Sequence, residues 1–146
     1  MARRPPQHPM KGHTMDLAAT RIITDDVKGL VDFYERITGV SATWLHKMFA
    51  ELRTPSGTLA FASSATVPLL GEGAAEARAN RSVTLDFLVD DVDAVYPTLR
   101  DTVDVFVNEP TDMPWGNRSL LFRDPDGNLV NFFTPTTGDA RSRFRD

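Results

Sequence analysis

The chain contains no cysteine, which removes disulfide frameworks, thiolate nucleophiles and thiolate metal sites together. Histidine is scarce: there are three in 146 residues, His8 and His13 near the start and His46 further in, so an imidazole-rich metal centre cannot be assembled. No apolar run approaches the ~18 residues that a membrane span requires. Met1–Thr14 carries Arg3, Arg4 and Lys11 among three prolines but lacks the apolar core of a secretory signal. Positive charge is not in excess either, the net charge being −4, and no basic stripe interleaves with aromatics. Nucleic acid and membrane are thereby disfavoured as partners, whereas a cationic ligand is permitted. No Ser/His/Asp or Cys/His constellation exists, and no glycine-rich phosphate loop follows a strand.

What is present begins with a hairpin. Ser119–Arg123 and Asn128–Phe133 are β-like runs flanking Asp124-Pro125-Asp126-Gly127. Proline presets φ at the start of a tight turn, and glycine accepts the positive φ that closes it. A fainter copy, Thr54-Pro55-Ser56-Gly57, lies 70 residues upstream. A second pair of segments, Thr20–Val27 and Leu85–Val92, each ends a strand in Asp-Asp-Val at an offset of 65. Two matches in the same order at nearly the same offset define an internal repeat, βαβββ taken twice.

The expected organisation is an N-terminal disordered tail over 1–15, a first module over 16–63, a linker over 64–82, a second module over 83–135 and a C-terminal tail over 136–146. Met15 is a candidate natural start. Module one reads as strand Ala18–Thr24, a helix capped by Asp25 or Asp26 and ended by Gly39, and strands Ser41–Leu45, Met48–Arg53 and Thr58–Ala62. Val27, Leu30, Val31, Tyr34 and Ile37 recur at helical spacing. Module two reads as strand Val83–Val89, a helix over Val92–Arg100 capped by Asp90 or Asp91, strand Val103–Val107 and the hairpin. Pro97 removes a ladder bond inside that helix and predicts that it is short or kinked.

Strand alternation assigns faces. Val83, Leu85, Phe87 and Val89 are apolar and belong against the helix, which leaves Thr84 and Asp86 opposite. The offset of 65 places Ala19 and Arg21 on the same face of module one. Asn131 and Phe133 take that face on the last strand, and the offset of 70 carries Asn131 onto Phe61. The fold class is α+β, two βαβββ modules forming curved mixed sheets around a cleft lined by these side chains.

This pattern resembles the vicinal oxygen chelate superfamily, which includes glyoxalase I, extradiol dioxygenases and bleomycin-resistance proteins. The likeness covers about Leu17 to Thr134, and Trp115-Gly116 followed by seven residues and Asp124-Pro125-Asp126-Gly127 is similar to the bleomycin-resistance branch. The resemblance implies a cytoplasmic homodimer that sequesters a small molecule such as an antibiotic without transforming it. Enzymes of the superfamily hold a divalent metal with His, Gln or Glu on strands facing the cleft. The matching positions here are Ala19, Phe61, Thr84 and Asn131, which supply no carboxylate or imidazole. No cofactor is therefore expected, and the protein leans away from being an enzyme.

The candidate ligand-binding residues are Arg21, Trp44, Phe49, Phe61, Asp86, Trp115, Asn131 and Phe133. Trp115, between Pro114 and Gly116, is a stacking plate for a planar or cationic ligand, or else a rim aromatic packed on its own hairpin. Trp44 and Phe49 form an opposite plate or belong to the core. Asp86 and Arg21 receive a ligand cation and anion, or pair with each other or their neighbours. The rival reading is a metal-dependent lyase, isomerase or dioxygenase with Glu51, Asp86 or Glu109 as atypical ligands. A third is a vestigial cleft serving protein interaction.

Overall fold

A computed structural model describes residues 15–144; all of the expected tail over 1–15 except Met15, and with it His8 and His13, lies outside the described residues. Module one comprises β1 (Thr20–Thr24), α1 (Val27–Thr38), β2 (Thr43–His46), β3 (Phe49–Arg53) and β4 (Thr58–Ser63). Module two comprises β5 (Thr84–Leu88), α3 (Val92–Val95), β6 (Val105–Phe106), β7 (Thr111–Asp112), β8 (Asn117–Arg123) and β9 (Leu129–Pro135). A short helix α2 (Val67–Leu70) lies in the linker, and a helix α4 (Gly138–Phe144) follows β9. The segment over 136–146, read from sequence as a tail, thus carries a helix.

Each module builds its own mixed sheet, ordered β1-β4-β3-β2 and β5-β9-β8-β6, with β7 added to β8. In both, the first strand runs parallel to the last, and the remaining long neighbours are antiparallel. That is the repeat read from the sequence, with strand ends displaced by a residue or two. The two-residue β7 was not foreseen; it is too short to carry a periodic signal.

Local chemistry explains the helices. Asp26 caps α1, its Oδ1 accepting from the Gly29 amide at 2.9 Å, and Gly39 ends it in the left-handed conformation at φ 73°. Asp91 caps α3, accepting from the amides of Asp93 and Ala94. That helix gives way after Val95 to a 3-10 turn over Tyr96–Leu99, where Pro97 lacks the amide that an α-helix would use. Arg118 on β8 forks to Asp93 on α3 and Asp112 on β7, and its hydrogen bonds hold the Asp93 carboxyl below the usual range.

One core serves both modules. Val27, Leu30, Val31, Tyr34 and Ile37 of α1 are buried together with Leu52, Phe61, Leu120, Phe122, Val130 and Phe132 from the two sheets. Tyr34 is the hinge of this arrangement, with its ring centroid 5.4 Å from that of Phe61 in module one and 6.2 Å from that of Phe87 in module two. Burying aromatics of this size dominates the stabilisation of such a core.

Candidate functional site

The faces turned away from the shared core hold the candidate site. On β1 and β4, Arg21 is registered with Ala60, and on β5 and β9, Asp86 is registered with Asn131. Asp86 accepts from the Asn131 side-chain amide at 3.1 Å, whereas the Arg21 guanidinium lies 5.1 Å from the centroid of the Phe49 ring. The two charges therefore find partners in their own modules and not each other. Arg21, Thr84 and Asp86 are exposed on these faces, whereas Ala60, Ser119 and Phe133 on the same faces are buried. A cavity of about 220 Å³ lies at the seam between β1 and β5, where Arg21 lines it together with Ile22, Val83, Leu85, Asn80 and Asn128.

Phe61 corrects the sequence reading. It is completely buried in the core against Tyr34, on the helix side of its sheet. The turns are of unequal length: Arg53 pairs with Thr58 across four residues, but Arg123 pairs with Leu129 across five. Asn128 is the additional residue, so an offset of 70 that aligns the glycines slips every later residue to the other face. The counterpart of Asn131 is Ala60. Ala19, also expected on the first strand, precedes β1.

Trp44 and Phe49 do not form one plate. Trp44 is registered with the core residue Ala50, whereas Phe49 is registered with Ala62 on the face of Arg21. Phe133 does lie on the expected face but is only 5% exposed, because the Phe144 ring of α4 packs on it at 5.0 Å between centroids. Trp115 projects from the β7–β8 turn and is 69% exposed.

The donor set does not fit a divalent metal centre. The face offers Asp86 as its carboxylate on β5, with an amide on β9 and alanines on β4. Glu51 is occupied by Arg53, whose Nε and Nη2 both donate to its Oε1 at 3.0 and 2.8 Å. His46 accepts the Met48 amide at Nδ1 and so serves its own turn. Among the described residues, no three of His, Asp and Glu come together as metal ligands.

Two βαβββ modules, each with a parallel first and last strand and an open polar-edged face, define a paired-module α+β protein. The sequence profile of the Glyoxalase/Bleomycin resistance protein/Dioxygenase superfamily matches residues 12–132, and the chain belongs to this superfamily. It is similar to the uncharacterized Bacillus subtilis (strain 168) protein YraH, being 30% identical over 125 residues that cover 82% of this chain and 98% of that one. Two solved structures share the fold. A glyoxalase/bleomycin resistance protein/dioxygenase from Nocardioides superposes with a TM-score of 0.69 at 22% identity, over 94% of this chain and 88% of that one. A family enzyme from Burkholderia phytofirmans PsJN superposes with a TM-score of 0.74 at 19% identity, over 83% of this chain and 99% of that one. No helix among the described residues is long and apolar enough to cross a membrane.

Proposed function

We propose that this protein binds a small planar or cationic molecule, in the manner of the bleomycin-resistance branch, and holds it without a catalytic metal. The observation that carries this reading is the composition of the face. Arg21 is registered with Ala60 in one sheet and Asp86 with Asn131 in the other, and they supply charge and hydrogen bonding; of the carboxylates on these faces, Asp86 accepts from Asn131, and Glu51, registered with Ala60, is taken by Arg53. Such a set orients a ligand and neutralises its charge; it lacks the donors that would activate water or polarise a carbonyl through a metal. Phe49 under Arg21 and the exposed Trp115 add aromatic surface for a flat ligand.

A second copy of the chain completes the site in this reading. The open faces carry exposed Arg21, Thr84 and Asp86, and a partner laid over them would turn two shallow surfaces into a cleft. The test is a ligand screen by thermal shift on metal-stripped protein, with elemental analysis of the protein as purified. A planar cation at ~100-fold its dissociation constant raises stability by about 2.7 kcal/mol. Stoichiometric Zn, Mn, Ni or Fe, removed with loss of a turnover activity, would overturn the metal-free reading.

A further inference from the structure

We infer that α4 is an internal plug seated on an aromatic subsite, and that a planar cation bearing an N–H donor displaces it. The inference rests on the ligand-binding reading above and names the chemistry of one part of that site. Phe133 and Ser119 are registered on adjacent strands, facing away from the core, and both are buried. What covers Phe133 is the chain itself: the Phe144 ring lies 5.0 Å from it, and the Arg143 guanidinium lies 5.0 Å from the centroid of Phe144. The Phe144 ring meets Phe133 edge-on, at 61° between planes, and carries a cation over its own face, so an aromatic edge and a positive charge, the two features of a planar cationic ligand, already occupy the surface of Phe133. The helix therefore presents, in cis, the chemistry of the ligand it excludes.

A second observation points the same way. Asn117, on the Phe133 side of β8 by alternation from Ser119, is 91% buried (9% exposed), and its Oδ1 is buried without a hydrogen-bond partner. A buried acceptor left unpaired is unfavourable. A ligand N–H reaching this floor would satisfy it, so the closed arrangement carries a cost that binding relieves.

The plug is lightly held. It has seven residues, too few to be stable as a helix in isolation, and Ala140, beside Gly116, is its buried residue. The link into it is tied to the loop that carries Trp115: Thr136, two residues before α4, donates to the Gly116 carbonyl from both its amide at 2.8 Å and its hydroxyl at 3.0 Å. Displacing α4 therefore uncovers Phe133 beside the loop of Trp115, with Asn117 on the same face at the start of β8.

The experiment titrates full-length protein and its variants with proflavine, a planar cation with amino N–H donors, read by fluorescence anisotropy. Phe144→Ala removes the stacked ring, and Ala140→Glu pushes the helix off its seat while leaving the face intact. Each should tighten proflavine binding between about twofold and tenfold, the range that one aromatic pair commands. Amide exchange over 138–144 should quicken when proflavine is added to the parent. Asn117→Ala in the Phe144→Ala background should reverse the gain. If both unplugged variants remain folded and bind as the parent does, α4 is a structural helix and the inference fails while the binding reading stands. If no form binds proflavine, the subsite and the binding reading fall together.

Discussion

Tyr34 and Asp124 lie 90 positions apart in sequence, yet the Tyr34 hydroxyl donates to Asp124 Oδ2 at 2.7 Å, and both residues are buried. The contact joins the helix of module one to the hairpin turn of module two. Asp124 is fully engaged there, since its Oδ1 accepts the amides of Asp126 and Asn128 and its Oδ2 also accepts the Asn128 side chain. Tyr34→Phe removes one donor from a buried carboxylate and should cost about 1–3 kcal/mol. Chemical denaturation checks this: an unchanged midpoint would mean that water or Asn128 replaces the hydroxyl at no cost.

The same pair sets an alkaline limit. Burial first, and the Asp124 charge second, push the Tyr34 phenol well above its ordinary value of 10.0. Above pH 10 the unfolded chain loses this proton while the folded chain keeps it, so the unfolded state binds fewer protons. Stability from this group is therefore complete below pH 10 and falls above it, by about 1.4 kcal/mol per pH unit. Denaturation midpoints of parent and Tyr34→Phe measured from pH 8 to 11.5 should converge as pH rises. Parallel curves would refute the assignment.

Gly116 tests how α4 is seated. Its φ is +96°, and a side chain there would bring Cβ to 3.2 Å from Ala140 Cβ and into collision with Thr137. Gly116→Ala is strained both by its backbone and by its neighbours and should destabilise the protein by about 1–3 kcal/mol. Amide exchange should show the loss concentrated at 136–144. A loss spread evenly over both modules would mean that this glycine supports the whole sheet and not the helix alone.

Dimerisation is testable without a ligand. Sedimentation at micromolar concentration should give twice the chain mass, and Asp86→Arg, which reverses charge on an exposed face residue without touching the core, should shift the equilibrium toward monomer. A parent that sediments as a monomer would leave the open faces to serve a single chain.

The repeat, the caps and the apolar stripe of α1 were legible because each is written in local chemistry: Asp before a helix, Gly after it, and apolar residues at helical spacing. Arg21, Asp86 and Asn131 could be placed on one kind of face by alternation alone. Phe61 could not, because one inserted residue, Asn128, leaves the glycine offset intact while inverting the strand that follows. The cover over Phe133 was equally hidden. Arg141-Ser142-Arg143-Phe144 has no periodic apolar signal, and its packing depends on a tertiary contact between Phe144 and a strand already formed. Trp44 was assigned to the wrong company because a register shift between Trp44 and His46 separates its face from that of Phe49.

Trp115 is the residue on which the proposed function is most exposed to refutation. It is 69% solvent-exposed on a turn held at both ends, by the Gly116 amide bonded to the Met113 carbonyl at 3.1 Å and by Thr136 on the Gly116 carbonyl. A rim aromatic on a braced turn gives up little packing when truncated, so Trp115→Ala should change stability by no more than about 0.5 kcal/mol. Its surface is already ordered, so a ligand that stacks on it loses little of its contact energy to fixing the ring. Stacking of a flat heteroaromatic on such a ring is worth about 1–3 kcal/mol, and Trp115→Ala should weaken binding of a planar cation about tenfold or more. Trp115→Phe should recover part of that loss, because the requirement is for a ring face and not for the indole N–H. Calorimetric titration of the three proteins with the same ligand decides the matter. Equal affinities would make Trp115 a bystander, and loss of folding in Trp115→Ala would assign it to packing and take the aromatic rim away from the binding reading.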